Sequence, residues 1–437
     1  MAKITFMGAG STVFAKNVLG DCMCAEALKG STLALYDIDP ERLNDSLTLL
    51  KNLNQTLKAA MTIKAFLGIR QRRTALQGAD YVVNAVQIGG YKPSTVIDFN
   101  IPKKHGLLQT IGDTLGIGGI FRALRTIPVL LDFARDMEAV CPEAWMLNYA
   151  NPMAMNMMGL LRGTHVHAVG LCHSVEGCAP NLLYHFRRKT KKLQWKVAGI
   201  NHQAWLLEIT DDGRDLYPDI RTACRRAKAA GTLKIDLVRL EMMMRFGYYI
   251  TESSEHSSEY FPWFIKRRYP ELIKQFNIPL DEYPRRCVSQ IKNWKRMRRQ
   301  LTANKDQPHS RTGEYASYIM EAMETNQPFK FGGNVMNTGL ITNLPAKACV
   351  EVPCLADRSG VTPCFIGDLP EPCAALNRTN INPQILTVEA VLTGRKDYVY
   401  QAALLDPHTG AELSIDDTIR MCDDLFKAHG NMIPPLR

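Results

Sequence analysis

Lys3-Ile4-Thr5-Phe6-Met7-Gly8-Ala9-Gly10-Ser11-Thr12 is five residues of strand character, then a turn rich in glycine, then the start of a helix. The helical stretch is predicted to run from Thr12 to Leu28 and to be closed by Gly30. A second apolar run, Thr32 to Tyr36, ends in Asp37, and a third, Tyr81 to Val86, follows the small-residue turn Gly78-Ala79. Further strands are expected at Trp145 to Asn148 and His167 to Leu171. Strands alternating with helices in this way predict an α/β fold with a parallel, doubly wound sheet.

The first turn carries chemistry as well as shape. A helix starting directly after Gly8, Ala9, Gly10 and Ser11 aims its N-terminal amides at an anion, and a pyrophosphate is the usual one in a Rossmann domain. The third glycine of the dinucleotide fingerprint is missing, which leaves an unliganded turn or another nucleotide such as S-adenosylmethionine as alternatives. Asp37 adds context: at the end of the second strand its carboxylate can accept from both ribose hydroxyls and repels a 2′-phosphate. NAD is therefore expected over NADP.

At 437 residues, with 46% hydrophobic content, the chain can bury the cores of two domains. The first is expected to end between about 175 and 200, giving an NAD-binding domain over 1–195 and an α+β substrate and metal domain over 196–437. The second half has polar helical stretches around 234–247 and 280–303, Pro- and Gly-rich connections from 331 to 372, and helical patterns near 383–404 and 415–429. No apolar run is long enough for a membrane span, and the opening residues read as strand and turn rather than as an export signal. Twelve scattered cysteines imply reduced thiols, and a cytoplasmic location is expected. The formal charge of +10 comes from short clusters such as Arg187 to Lys192, without interleaved stacking aromatics, so no nucleic-acid partner is predicted.

The next segments are more specific. QIGGYKP (87–93), KKHGLLQTIGDTLGIGG (103–119), LNYANPMAMN (147–156), VGLCHS (169–174), GINH (199–202), TESSEHSSEY (251–260), DEYPRRC (281–287) and NLPAKACVEVPCLAD (343–357) occur in one order. Together they resemble the family 4 glycoside hydrolases, in the wording of the branch that cleaves α-galactosides such as melibiose. The resemblance implies a fold like lactate and malate dehydrogenases, with NAD and a divalent metal, most often manganese, as cofactors. It also implies an unusual mechanism: oxidation at sugar carbon 3, proton removal at carbon 2, loss of the glycosidic oxygen from carbon 1, water addition and re-reduction.

Carried onto this chain, the resemblance makes Cys172 and His202 the metal pair and Asn151 and Arg286 substrate contacts. Gly8, Ala9, Gly10, Ser11, Asp37 and Gln87 would bind the cofactor. Asp113 matches an acidic position that raises the basicity of the base. His173, where other members carry an aspartate, is expected as the acid, since histidine can donate a proton near neutral pH. Tyr260 is the first choice for the base, with His256 and Glu259 as rivals. Each residue type also has a plainer role: a lone cysteine at a strand end is usually core, and Asn151 could simply cap the helix beginning at Pro152. Among competing functions, a 2-hydroxy-acid dehydrogenase would share the fold and NAD, but gives no reason for the cysteine and histidine motifs. A non-catalytic sugar or nucleotide sensor stays open too. Within the family, α-galacturonides or α-glucuronides are the alternative substrates, and dimers or tetramers are common.

Overall fold

The computed structural model describes residues 1–303 and 308–437. Its organising element is a mixed sheet whose strands are β1 (Lys3–Met7), β2 (Thr32–Asp37), β3 (Thr62–Leu67), β4 (Tyr81–Asn84), β5 (Trp145–Asn148) and β6 (His167–Leu171), followed by β7 (Leu193–Ile200), β8 (Gln203–Asp211), β9 (Arg214–Asp215), β10 (Tyr249–Ile250), β11 (Phe329–Met336), β12 (Cys349–Asp357) and β13 (Gly360–Pro363). β1, β4, β5 and β6 are almost wholly buried, as parallel strands covered on both faces by helices must be.

The first six strands are parallel, in the order β3-β2-β1-β4-β5-β6. Chain direction across the sheet reverses between β1 and β4. Loops after those two strands leave toward opposite faces there, opening a crevice at the strand ends where ligands collect. β11 then pairs antiparallel with β6, and the sheet continues through β12, β7, β8 and β10 without a break. One sheet therefore passes through both halves of the sequence, parallel in the first and antiparallel in the second.

Three expectations need correction. The helix from Thr12 ends at Cys24, because Ala25 turns extended (φ −82°, ψ 120°), and a single 3-10 turn covers Glu26–Leu28. The apolar run expected as strand from Tyr81 to Val86 is β4 and stops at Asn84, which frees Ala85 and Val86 to line the crevice. The stretch 331–372, expected as connections, contains most of β11 and all of β12 and β13. Its glycines are packing residues rather than turn residues: a Cβ at Gly332 would lie 2.8 Å from Val175, and one at Gly333 would lie 2.7 Å from the Cys354 sulfur. β3 was not anticipated; it is an edge strand in which no residue is buried, although Ile63, Ala65, Phe66 and Leu67 are apolar.

The buried helix Gly116–Val140 packs against Met153–Gly163 and Glu371–Thr393 under the parallel strands. By contrast, Glu282–Ala303 buries only Cys287. Among the described residues no helix is long and apolar enough to cross a membrane, and all twelve cysteines are free thiols.

Candidate active site

The nucleotide turn is held by close backbone contacts. The amides of Gly8 and Ala9 donate to the Tyr36 carbonyl at 3.0 and 2.9 Å, and the Gly10 amide donates to Asp37 Oδ2 at 2.6 Å. The other Asp37 oxygen accepts from the Ile38 and Asp39 amides at 2.8 and 2.9 Å. Asp37 is thus fixed at the end of β2 beside the glycine turn, where the expected ribose would lie. Gly8 has φ +87°, and a Cβ there would sit 2.9 Å from the Ala85 carbonyl oxygen; at Gly10 it would sit 2.7 Å from Asp37 Oδ2. Gly10→Ala should therefore displace Asp37 and weaken NAD binding by roughly tenfold or more, about 1.4 kcal/mol, as read by equilibrium dialysis.

Residues after β1, β4, β5 and β6 converge on one open cavity of about 400 Å³. Ser11, Ala85 and Gln87 form its nucleotide side; Asn151, Cys172, His173 and His202 form the other. His202 is the second residue of the two-residue turn joining β7 to β8, and its φ of +65° is a conformation that costs a non-glycine residue about 1 kcal/mol or more. Cys172 follows β6 directly. Sequence-distant strands thus bring the expected metal pair together.

Glu252 completes that pair. Ligand atoms of Cys172, His202 and Glu252 lie within 4.8 Å of one another, and a second set, Asp113, His202 and His256, shares His202. His202 Nε2 is 3.4 Å from Glu252. Burial alone would lower the His202 pKa, but Cys172, Glu252 and Asp113 outweigh it and lift it to about 10. A field that holds a proton this firmly on a buried imidazole is one that also holds a divalent cation. Thiolate, imidazole and carboxylate donors suit a borderline first-row ion. Burial would raise Glu252, yet His202, His256 and the Ser253 amide hold it down to about 2.

The remaining expected residues divide. Asp113 lines the cavity, accepting from Thr114 at 2.7 Å and from Arg122 at 3.2 Å. Asn151 lines it too and does not cap the following helix, which starts at Met153 without a side-chain cap. His173 lies at the rim, its Nε2 2.7 Å from Glu314 Oε2. Gln87 donates to the Tyr283 hydroxyl at 3.4 Å. Arg286, expected on the substrate, instead pairs with Glu282 at 2.9 Å on the exposed helix Glu282–Ala303 and is not among the cavity's lining residues.

The candidates for the base separate most clearly. Tyr260 is buried behind the cavity wall with its hydroxyl 3.2 Å from His202 Nδ1, so it positions that ring rather than facing the cavity. Glu259 is turned inward, accepting the amides of Thr110 and Gly112 at 2.8 and 2.7 Å; burial still lifts its pKa to about 7. These bonds tie Glu259 to the loop that carries Asp113. Only His256 of the three lines the cavity. Burial lowers its pKa further than Glu252 restores it, which keeps the ring neutral and able to accept a proton.

Sequence reading missed Glu252, Arg122, Tyr283 and Glu314. Glu252 had a signal: it lies four residues before His256 in the same polar segment. Tyr283 lies within the DEYPRRC segment and Arg122 nine residues after Asp113, whereas Glu314 comes from a segment 141 residues from its partner His173.

Comparison with known proteins agrees with this geometry. Residues 3–186 match the family described as Family 4 glycosyl hydrolase, and residues 197–409 match the Family 4 glycosyl hydrolase C-terminal domain. An α-galactosidase of Bacillus subtilis (strain 168) is 60% identical over 435 residues, covering 99% of each chain. The fold is shared with a 6-phospho-β-glucosidase from Thermotoga maritima, solved with manganese, NAD+ and glucose-6-phosphate (TM-score 0.79, 18% identity, 100% of both chains). It is shared more distantly with Plasmodium falciparum malate dehydrogenase in complex with NADH (TM-score 0.51, 12% identity, 91% of this chain and 100% of that one). With both parts of the family matched in order over nearly its whole length, the chain belongs to the family 4 glycosyl hydrolases.

Proposed function

We propose that this protein is an α-galactosidase that depends on NAD and a divalent metal, manganese first. The observation that carries the reading is that the glycine turn and the Cys172, His202 and Glu252 cluster open onto the same cavity. Direct displacement at carbon 1 has no use for a nucleotide beside the sugar, whereas oxidation at carbon 3 requires one. The 60% identity to an α-galactosidase supports the sugar. The cavity's charges support it as well. Among the described residues Arg122 is the only lysine or arginine that lines it, and Arg122 is engaged by Asp113. A galacturonide, glucuronide or 6-phosphoglycoside would leave its anion without a free cation partner, which a neutral galactoside avoids.

Bound in the cavity, NAD supplies a reversible hydride acceptor and the metal a Lewis acid. The other tasks fall to side chains. Cys172, His202 and Glu252 would hold the ion, with Tyr260 fixing the His202 ring. The amide of Asn151 can donate to and accept from sugar hydroxyls. His256 takes the proton from carbon 2, which is acidic while carbon 3 is a ketone. His173 gives a proton to the glycosidic oxygen as its bond to carbon 1 breaks. Asp113, with Arg122 behind it, places negative charge beside His256 and favours its protonated form. The reading keeps 1–195 as the NAD-binding domain and 196–437 as the second domain, with the sugar and metal held between them by Asn151 and Cys172 of the first and His202 and Glu252 of the second. It also takes the enzyme to be a cytoplasmic homo-oligomer, with the exposed face of Glu282–Ala303, including Val288 and Ile291, as a contact surface.

Dialysis against a chelator should abolish hydrolysis of a chromogenic α-galactoside, and activity should return only when NAD and manganese are both restored. Full activity in protein free of both would overturn the reading.

A further inference from the structure

His173 is held by a device that the reaction scheme leaves unexplained. Its ring stacks on Tyr149 (5.8 Å between centroids, 29° between planes) and meets Phe14 and Tyr315 edge-on at 6.4 and 6.1 Å. Its Nε2 is 2.7 Å from the Glu314 carboxylate, 141 residues away in sequence. Glu314 is itself anchored. The wholly buried Asp21, on the helix Thr12–Cys24, accepts from the Glu314 amide at 3.3 Å, the Thr312 amide at 2.9 Å and the Thr312 hydroxyl at 2.8 Å, and its Oδ1 lies 2.8 Å from His309 Nε2. Two residues beyond Glu314, the Ala316 amide donates to the Tyr149 hydroxyl at 3.2 Å. One short segment therefore fixes both the hydrogen-bond partner and the stacking partner of His173.

Resting on the reading that His173 serves the leaving group, we propose that Glu314 is a positioning residue that orients His173 toward the glycosidic oxygen. Asp21 locks the segment that carries it. With Nε2 committed to Glu314, Nδ1 is the nitrogen assigned to the substrate. In the step served, the carbon 1 to oxygen bond breaks with its electron pair going to oxygen. The proton passes from Nδ1 to that oxygen and leaves the imidazole neutral. A sugar alkoxide cannot depart without this proton, whereas a nitrophenolate, stable as an anion, can.

The role therefore predicts selectivity by leaving group, which a purely structural role does not. With NAD and manganese saturating, Glu314→Ala should lose roughly tenfold to a hundredfold in kcat on melibiose-type alkyl α-galactosides, at or below the lower end of a general acid's full contribution, as fits a residue that only positions the acid. On p-nitrophenyl α-galactoside it should lose about threefold or less. Glu314→Gln keeps the shape, and its alkyl-to-aryl kcat ratio should also fall by about threefold or more, so the test stands if the alanine variant does not fold. An equal loss on both substrates, or a loss on neither, overturns the inference. If the wild-type protein hydrolyses neither substrate with both cofactors present, the α-galactosidase reading itself fails and takes this inference with it.

Discussion

Cys172→Ser should cut turnover by roughly a hundredfold or more while leaving the chain folded. The expected size follows from a Lewis acid's several kcal/mol of charge stabilisation, at about 1.4 kcal/mol per factor of ten. A serine hydroxyl at neutral pH is a poor ligand for an ion that the thiolate, His202 and Glu252 hold together. Cys172 sits at the edge of the cavity rather than in the core, half-buried after β6 with its sulfur 3.2 Å from Ser174 Oγ, so the smaller oxygen leaves no serious void. Manganese titration and kcat should move together: weaker binding, with turnover still low when the ion saturates. A variant that keeps near wild-type turnover at trace manganese would reduce Cys172 to packing. The same position leaves this thiol open to oxidation. Burial pushes thiols such as Cys178 and Cys422 up to about 12, so they stay protonated and unreactive, whereas Cys172 faces the cavity.

What the sequence made legible was mostly local. β1, β5 and β6 fall where the apolar runs place them, because a strand buried on both faces writes itself as an unbroken apolar segment. β11 and β12 were hidden by Gly332, Gly333 and Pro353, residues that ordinarily mark turns; here the glycines allow close packing against β6 and its helix, and Pro353 sits in β12 opposite Gly332. Cys172, His202, Asn151 and Asp113 were legible through ordered motifs, and all four face the cavity. The identity of the base was not. His256 and Tyr260 are one helical turn apart in a polar segment, and only tertiary packing decides which of them faces the cavity and which lies behind His202. Glu314 could not be read at all, since its significance arises from contacts with Asp21 and His173 that no local pattern announces.

That ambiguity leads to the most informative experiment on the chemistry. Elimination through a carbon 3 ketone breaks the C–H bond at carbon 2, so galactose formed in heavy water should carry deuterium there. Direct displacement at carbon 1 would leave that position untouched. The label is a better reporter than rate because it survives when another step, such as sugar release, limits turnover. His256→Ala should suppress this exchange most, by roughly a hundredfold, since a general base contributes about that much or more. Its ring faces the cavity and burial keeps it neutral, with Ser253 Oγ 3.0 Å from Nδ1 and the Glu252 carboxylate behind it at 3.5 Å. Tyr260→Phe should lose less and mainly through manganese affinity, because its hydroxyl touches His202 Nδ1 and burial holds the phenol protonated. Glu259→Gln should act through stability, because the side chain amide would turn a donor toward one of the backbone amides at 110–112. Manganese titration of each variant separates the two roles: a lost base leaves metal binding intact, while a lost support for the ligands does not. Exchange that persists in His256→Ala but disappears in Tyr260→Phe would move the base to Tyr260 and require the loop 251–260 to turn over on binding sugar. Wild-type product without deuterium at carbon 2 would end the oxidative mechanism even if α-galactosidase activity stood.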